Sequence, residues 1–301
     1  SSPQNNIFSH SWFLKERKRE YKFYFILKEQ KIISAAIVSL DKNKRPIDTP
    51  WVHHGIYLND DFKTLKNHKF TKNYIDLILF LIDSLSKKMN LISFNLHPSI
   101  QDMRPFQWSV FENKTNLSLS IKINSTAILN INSYKNFEEY LMCIRKVRRQ
   151  EYNKCIKLGF RLESSKDLAI LDKLHDETFQ RQGLKRNDHD KLLCNEIAEK
   201  ALANNSGELI LCRDTNGRYV AGALFLYDEQ CSYYLIGATE ESERKNSPMT
   251  YIILEQIKKY FHNKRMKFDF CGINSPNRGD YKTSFNADIY NYFTPTIKIN
   301  N

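Results

Sequence analysis

Apolar and polar positions along the second half of the chain alternate between two periods, and their order predicts the elements. "GFRLESS", from Gly159, reads as a strand, while "DLAILDKLHDETFQRQG" and "KLLCNEIAEKALANN" repeat apolar residues at helical spacing. "ELILCRDTNGRYVAGALFLYDEQCSYYLIGAT" holds three β-rich runs, parted at Asn216-Gly217, where a tight turn needs positive φ, and at the polar Asp228 to Gln230 break. An antiparallel meander is expected there. "NSPMTYIILEQIKKYFHNKR" places Ser247 at an N-cap and Pro248 at the first helical position, with Ile252, Ile253, Ile257 and Phe261 as a buried stripe. "KFDFCG" then supplies a strand before a mixed tail, "DYKTSFNADIYNYFTPTIKIN".

The first half repeats the later part of this plan. "KFYFILKEQ", "KIISAAIVSLD" and "WVHHGIYL" form a second meander, "TKNYIDLILFLIDSLSKKM" a helix and "NLISFNLHP" the following strand. Between the halves, "NFEEYLMCIRKVRRQEYNKCIKLGF" reads as one helix, with Asn136 as N-cap and Glu139 closing a capping box. Phe137, Tyr140, Leu141, Ile144 and Cys155 are its inward positions. Arg145, Lys146, Arg148 and Arg149 cluster on and beside one face, either as a solvated basic surface or as a clamp for phosphates. Two side-by-side lobes follow, 1–130 and 131–301, each long enough to bury its own core.

Charge adds a statement about partners. The 46 Lys+Arg against 34 Asp+Glu give a formal +12, a surface field that attracts polyanions or anionic substrates. The six cysteines are scattered and no HExxH run occurs, so buried reduced thiols are expected and no metal site. The most apolar window, "IDLILFLIDSL", is interrupted by Asp76 and Asp83 and is too short to span a bilayer. "SSPQNNIF" lacks a basic segment followed by an apolar one, so no signal peptide is expected on the chain as given and a cytoplasmic location is.

The order strand, two helices, three meandering strands, helix, strand resembles a GNAT acyltransferase domain. "RKVRRQEYNKCIKLGF", "HDETFQRQGL", "GALFLYD…YYLIGATEESERKNSPMTYIILEQI" and "FDFCGI…YKTSF" together resemble the FemAB-like branch of that superfamily, more loosely so do "NIFSHSWFLK" and "RPIDTPWVHHGIYL". The resemblance implies an α/β fold with mixed sheets, built as a tandem of two GNAT-like lobes, and transfer of an acyl or aminoacyl group to an amine. It implies acyl-CoA or aminoacyl-tRNA as co-substrate, with no permanently bound cofactor. An amine-bearing small molecule or a cell-wall or glycan precursor would be the acceptor, with tRNA a possible partner. It also implies a gap between the strands 232–238 and 267–271 that receives the donor. The family's Phe-Lys pair before a second Phe falls on Tyr281, Lys282 and Phe285, with Tyr in place of the first Phe. The family's Gly-rich turn for a pyrophosphate falls on "RKNSPM", where Ser247 and Met249 replace small residues and Pro248 has no N–H.

Acyl transfer needs a deprotonated amine, a polarised carbonyl and a protonated leaving group. Asp269 is the candidate base on the condition that burial among Phe268 and Phe270 raises its pKa; Glu240 and Glu241 are alternatives, and structural capping or pairing is the plain rival for all three. Tyr281 is the candidate donor to the leaving group, against a role as core, and Lys282 the candidate for the oxyanion or a phosphate, against plain surface exposure. Arg148, Arg149, Tyr234, Gly237, Arg244, Ser247, Gly272, Asn274 and Phe285 are the expected donor- or substrate-binding positions. A catalytically silent protein that binds RNA or an anionic glycan precursor through the Arg145 to Arg149 face is the rival from another class.

Overall fold

The computed structural model describes residues 2–15, 19–47, 53–112, 116–263 and 266–299. Trp51 and Val52 of the expected third strand, and Lys264 and Arg265 ending the expected central helix, lie outside the described residues. Contacts divide the chain into two compact units, 1–125 with 291–301, and 126–290. The sequence pattern drew a single line after Asn130; the chain instead passes between units inside two strands, once after Ser125 and once after Tyr290.

The first unit begins with an antiparallel meander of β1 (Glu20–Lys28), β2 (Lys31–Leu40) and β3 (Ile56–Leu58). A 3-10 turn at Asp60–Thr64 leads into α1 (Asn67–Ser86), then β4 (Leu91–Ser93), α2 (Arg104–Glu112) and β5 (Leu117–Asn130). Tyr74, Leu77, Ile78, Leu81, Ile82 and Leu85 of α1 are buried, the stripe that spacings of three and four residues produce. The sequence pattern had not separated α2 and β5.

The second unit continues with α3 (Phe137–Cys143), α4 (Lys146–Lys157), β6 (Arg161–Ser165), α5 (Leu168–Arg181) and α6 (Asp188–Ala203). The meander β7 (Gly207–Arg213), β8 (Tyr219–Tyr227) and β9 (Cys231–Thr239) follows. A 3-10 turn at Glu241–Asn246 then opens α7 (Pro248–Asn263), and β10 (Lys267–Asp269), α8 (Pro276–Thr283) and β11 (Asp288–Ile299) end the chain. Strands run in the order β5, β10, β9, β8, β7, β6. β9 and β10 are parallel, as a strand–helix–strand crossover requires. Ile210, Ala223, Phe225, Phe268 and Phe270 join Tyr140, Tyr152, Ile253 and Ile257 of the helices in one core. α5 packs against β8 and β9, with Leu171 set against Gly222.

Three local expectations are corrected. The long linking helix is two helices, because Ile144 adopts an extended conformation and turns into the core, where it is buried. Asn136 caps α3 by accepting from Glu139 N at 2.8 Å, but the Glu139 carboxylate accepts from Lys135 N rather than closing the box on Asn136. At Asn216-Gly217 only Gly217 has positive φ (+80°), and the Asp214 carboxylate accepts from the backbone N–H of Asn216 and Arg218, each at 2.9 Å. Of the cysteines, Cys155, Cys212 and Cys231 are buried, Cys194 and Cys271 partly so, and Cys143 is exposed.

Candidate active site

β9 and β10 pair only over their first residues: Lys267 faces Cys231, Phe268 faces Ser232 and Asp269 faces Tyr233. β9 then runs on to Thr239 while the other chain leaves. The departure has a local cause. Cys271 (φ +53°) and Gly272 (φ +91°) are consecutive left-handed residues, the second a glycine that adopts this conformation without a Cβ clash. Phe270 N still bonds to Ala127 O at 2.9 Å, so the bend carries the chain away from β9 and toward β5. The expected strand to Gly272 therefore stops at Asp269. On its other side, β9 carries a bulge against β8, where the register shifts between Leu224 and Phe225; a bulge re-aims the side chains that follow it.

Beyond this point lies a cleft of about 290 Å³, lined along β9 by Gly237, Ala238 and Thr239. Its other walls are Arg244 and Ser247 of the turn before α7, Met249 and Thr250 of the first turn of α7, Thr178 and Arg181 of α5, Arg148 of α4 and Tyr281 of α8. Three arginines and no carboxylate are among the described lining residues; Arg148 is paired with Glu151 from outside the lining, so the charge that suits the cleft to an anion rests on Arg181 and Arg244. The α7 terminus itself offers little to one: Pro248 has no N–H, and Thr250 N bonds to Ser247 O at 3.0 Å. Ser247 does not cap the helix through its side chain as expected. It adopts φ +55°, and its hydroxyl turns back to Arg244 O at 3.4 Å.

Arg148, Glu151, Thr250 and Tyr281 form one network on the cleft wall. Arg148 Nη1 donates to Glu151 Oε2 at 2.6 Å, Thr250 Oγ1 donates to the same oxygen at 2.8 Å, and the Tyr281 hydroxyl lies 3.2 Å from Thr250 Oγ1. Since the Thr250 proton is committed to Glu151, the Tyr281 hydroxyl is the donor of that last bond. Burial raises the pKa of Tyr281 above the usual phenol value, so it keeps its proton through the basic range.

The remaining expected residues fall elsewhere. Lys282 is buried, not exposed, with Nζ donating to the carbonyls of Phe270, Gly272 (2.9 Å) and, at longer range, Cys271 (3.4 Å). Its ammonium clips the left-handed bend, and burial lowers its pKa, opposed by Cys271 and Asp269. Asp269 is buried away from the cleft, accepting from Thr126 Oγ1 and, at 2.8 Å, from Cys271 N. Gly272 N bonds to Thr126 Oγ1 at 3.2 Å, so both anchor the bend. Phe285 is fully buried and stacks on Phe270. Asn274 is exposed in the loop before α8, and Tyr281 and Lys282 sit on that helix.

Tyr234 is buried with its ring over Gly237. Arg149 does not join Arg148: it donates to the carbonyls of Leu141 (3.0 Å) and Met142 (2.7 Å), satisfying the C-terminal end of α3. Arg145 forms a fork with Asp280, both bonds 2.8 Å. The expected common basic face is thus three separate tasks. Glu240 accepts from Arg218 at 2.9 Å and does not line the cleft, and Glu241 opens the 3-10 turn. Arg181, Thr178, Glu151 and Thr250 had not been singled out; only the spacing of Glu151, three residues after Arg148 on a helix, signalled a pairing.

Residues 144–283 match the family model described as acetyltransferase (GNAT) domain. No curated protein matches in sequence. Among solved structures, FemX is similar over 97% of this chain and 93% of its own at 13% identity and TM-score 0.68. The C-terminal domain of a putative lysylphosphatidylglycerol synthetase from Agrobacterium fabrum covers 93% and 84% at 10% identity and TM-score 0.56. A tandem GNAT protein from the clavulanic acid biosynthesis pathway covers 94% and 84% at 7% identity and TM-score 0.52. At these identities the likeness is one of fold. Among the described residues no helix is long and apolar enough to cross a membrane. Residues 144–283 carry the match to the GNAT acetyltransferase domain, and the chain as a whole shares the fold of FemX and of a tandem GNAT protein.

Proposed function

We propose that the protein transfers an acyl or aminoacyl group from a phosphate-bearing donor, held in the cleft beside β9, to an amine by direct attack in a ternary complex. The observation that carries this reading is the cleft itself: Arg148, Arg181 and Arg244 line it together with the hydroxyl-bearing Tyr281 and Thr250. Because the α7 terminus is short of free N–H groups, the phosphates rest on arginine side chains. That arrangement suits the spread-out phosphates of an aminoacyl-tRNA end better than a single pyrophosphate; similarity in fold to FemX and to a lysylphosphatidylglycerol synthetase domain is in keeping with aminoacyl transfer.

The amine nitrogen attacks the acyl carbon, the carbonyl becomes an oxyanion, and collapse breaks the bond to the ribose oxygen or the thiol sulfur. Tyr281 gives its proton to that leaving atom and recovers one from solvent, while the new amide releases the proton of the amine. Arg148, stacked on the phenol and within the cleft, stabilises negative charge nearby. Lys282 fixes the bend that holds the cleft open, a positioning role.

Radiolabelled acetyl-CoA and charged tRNA, each offered with a panel of amines, test this directly. Labelled amide from at least one donor, reduced about tenfold in Arg244→Ala when the donor is below its KM, is the expected result. Salt-sensitive RNA or glycan-precursor binding with no turnover of either donor makes the chain a binder instead.

A further inference from the structure

The first unit repeats the frame that builds the cleft of the second. In the second unit the frame is β9, the 3-10 turn Glu241–Asn246, α7, the three-residue β10, a loop, α8 and β11. In the first it is β3, the 3-10 turn Asp60–Thr64, α1, the three-residue β4, a loop, α2 and β5. The positions that wall the cleft of the second unit have counterparts here: Leu58 ends β3, Phe62 and Lys63 lie in the turn, Phe70 and Tyr74 on the first turns of the helix, and Ser99 to Asp102 follow the short strand. Together with Pro3 and Gln4 they line a separate pocket of about 210 Å³.

We propose that this pocket is a second ligand site, and that it takes an uncharged aromatic group rather than a phosphate-bearing one. Its walls are rings: Phe62 meets Phe70 edge-on at 6.0 Å, and Phe70 lies parallel to Tyr74 at 6.0 Å. Such faces and edges favour another ring. The charges at its rim are already matched. Lys63 pairs with Asp60 at 2.8 Å, and Asp102 is forked by Arg104 with bonds of 2.8 and 2.6 Å. The buried polar groups are also engaged, since the Gln4 amide accepts from Leu58 N at 2.9 Å and donates to Ser99 Oγ at 3.1 Å, and Tyr74 donates to Asp102 O at 2.9 Å. Among the described residues that line it there is no arginine, where the cleft of the second unit has three. At about 210 Å³ against about 290 Å³ for the arginine-lined cleft, the pocket is sized for a single ring system.

Indole is the probe, followed by ligand-detected NMR on the full chain and by the methyl resonances of Leu58 and Ile100. Saturable binding is expected, with shifts concentrated on those methyls and unchanged by Arg244→Ala. Ser99→Phe, which fills the mouth from an exposed position, is expected to weaken indole at least tenfold, and indole-3-acetate to bind at least tenfold more weakly than indole. Failure of indole to saturate the wild-type chain overturns the proposal. So does displacement of indole by acetyl-CoA, or shifts that spare Leu58 and Ile100; these last readouts need no variant.

Discussion

The guanidinium of Arg148 lies over the ring of Tyr281, 4.7 Å from its centroid, while the phenol hydroxyl points to Thr250 on the far side of the same network. The cation is therefore held by the ring and by Glu151, and the proton of Tyr281 by Thr250. Tyr281→Phe keeps the ring and removes only the hydroxyl, with its proton and its bond to Thr250. In the proposed reaction it lowers kcat by roughly 100-fold, the low end for general acid catalysis, with little change in donor KM. The loss is larger with an aminoacyl ester than with a thioester, since an alkoxide needs the proton more than a thiolate does. Steady-state kinetics with both donors check this; an equal loss in both, or one confined to KM, removes the acid role.

Arg244 is exposed at the cleft rim, so its replacement leaves the core intact. Arg244→Ala is expected to raise donor KM about tenfold, the worth of one charge-assisted contact, and to flatten the dependence of donor binding on salt. Binding measured at two ionic strengths checks it. An unchanged salt slope means that Arg244 touches no phosphate.

The element order was legible because it lies in periodicity: the stripe of α1 and the three runs of β7 to β9 alternate in plain view. The wedge was legible only in outline. Its position follows from the order strand, helix, strand, but its cause is a pair of left-handed residues at Cys271 and Gly272, and nothing in Cys271 announces that conformation. Helix breaks hide in the same way, since Ile144 is as good a helix residue as its neighbours and leaves the helix for the sake of burial. Side-chain tasks were least legible. Arg145, Arg148 and Arg149 are near-identical letters, and their partners send them to separate duties: Asp280, far along the chain, for Arg145, Glu151 and Thr250 for Arg148, and the end of α3 for Arg149. Arg181 reached the cleft through a contact with Thr239 O at 3.3 Å that no local pattern encodes.

A methyl group at Gly237 would fall 1.8 Å from Tyr234 Oη and 2.6 Å from Cζ. The ring is buried against Phe225, with Lys282 Nζ 5.5 Å from its centroid, so Gly237→Ala forces it or the strand to move. A loss of about 1 to 3 kcal/mol is expected, the range for overpacking a core. Pairing the change with Tyr234→Leu relieves the clash, and chemical denaturation of the single and double variants shows whether stability returns. A single variant as stable as wild type contradicts the close approach.

Lys282 sets the last prediction, because its ammonium serves three carbonyls in a buried place. Lys282→Met keeps the chain length and leaves those carbonyls without their donor, at a cost of about 1 to 3 kcal/mol. The pH dependence has a definite sign. Burial lowers the pKa of Lys282 in the folded chain, so between that value and about 10.4, the ordinary lysine value, the unfolded chain binds more protons than the folded one. Stability contributed at this position therefore rises as pH climbs through that window and levels off above it. Urea denaturation of wild type and Lys282→Met from pH 7 to 11 reads the difference, in which the titration of all other groups cancels. An advantage of the wild type that shrinks with rising pH means instead that the three carbonyls outweigh burial and hold the ammonium in its charged form.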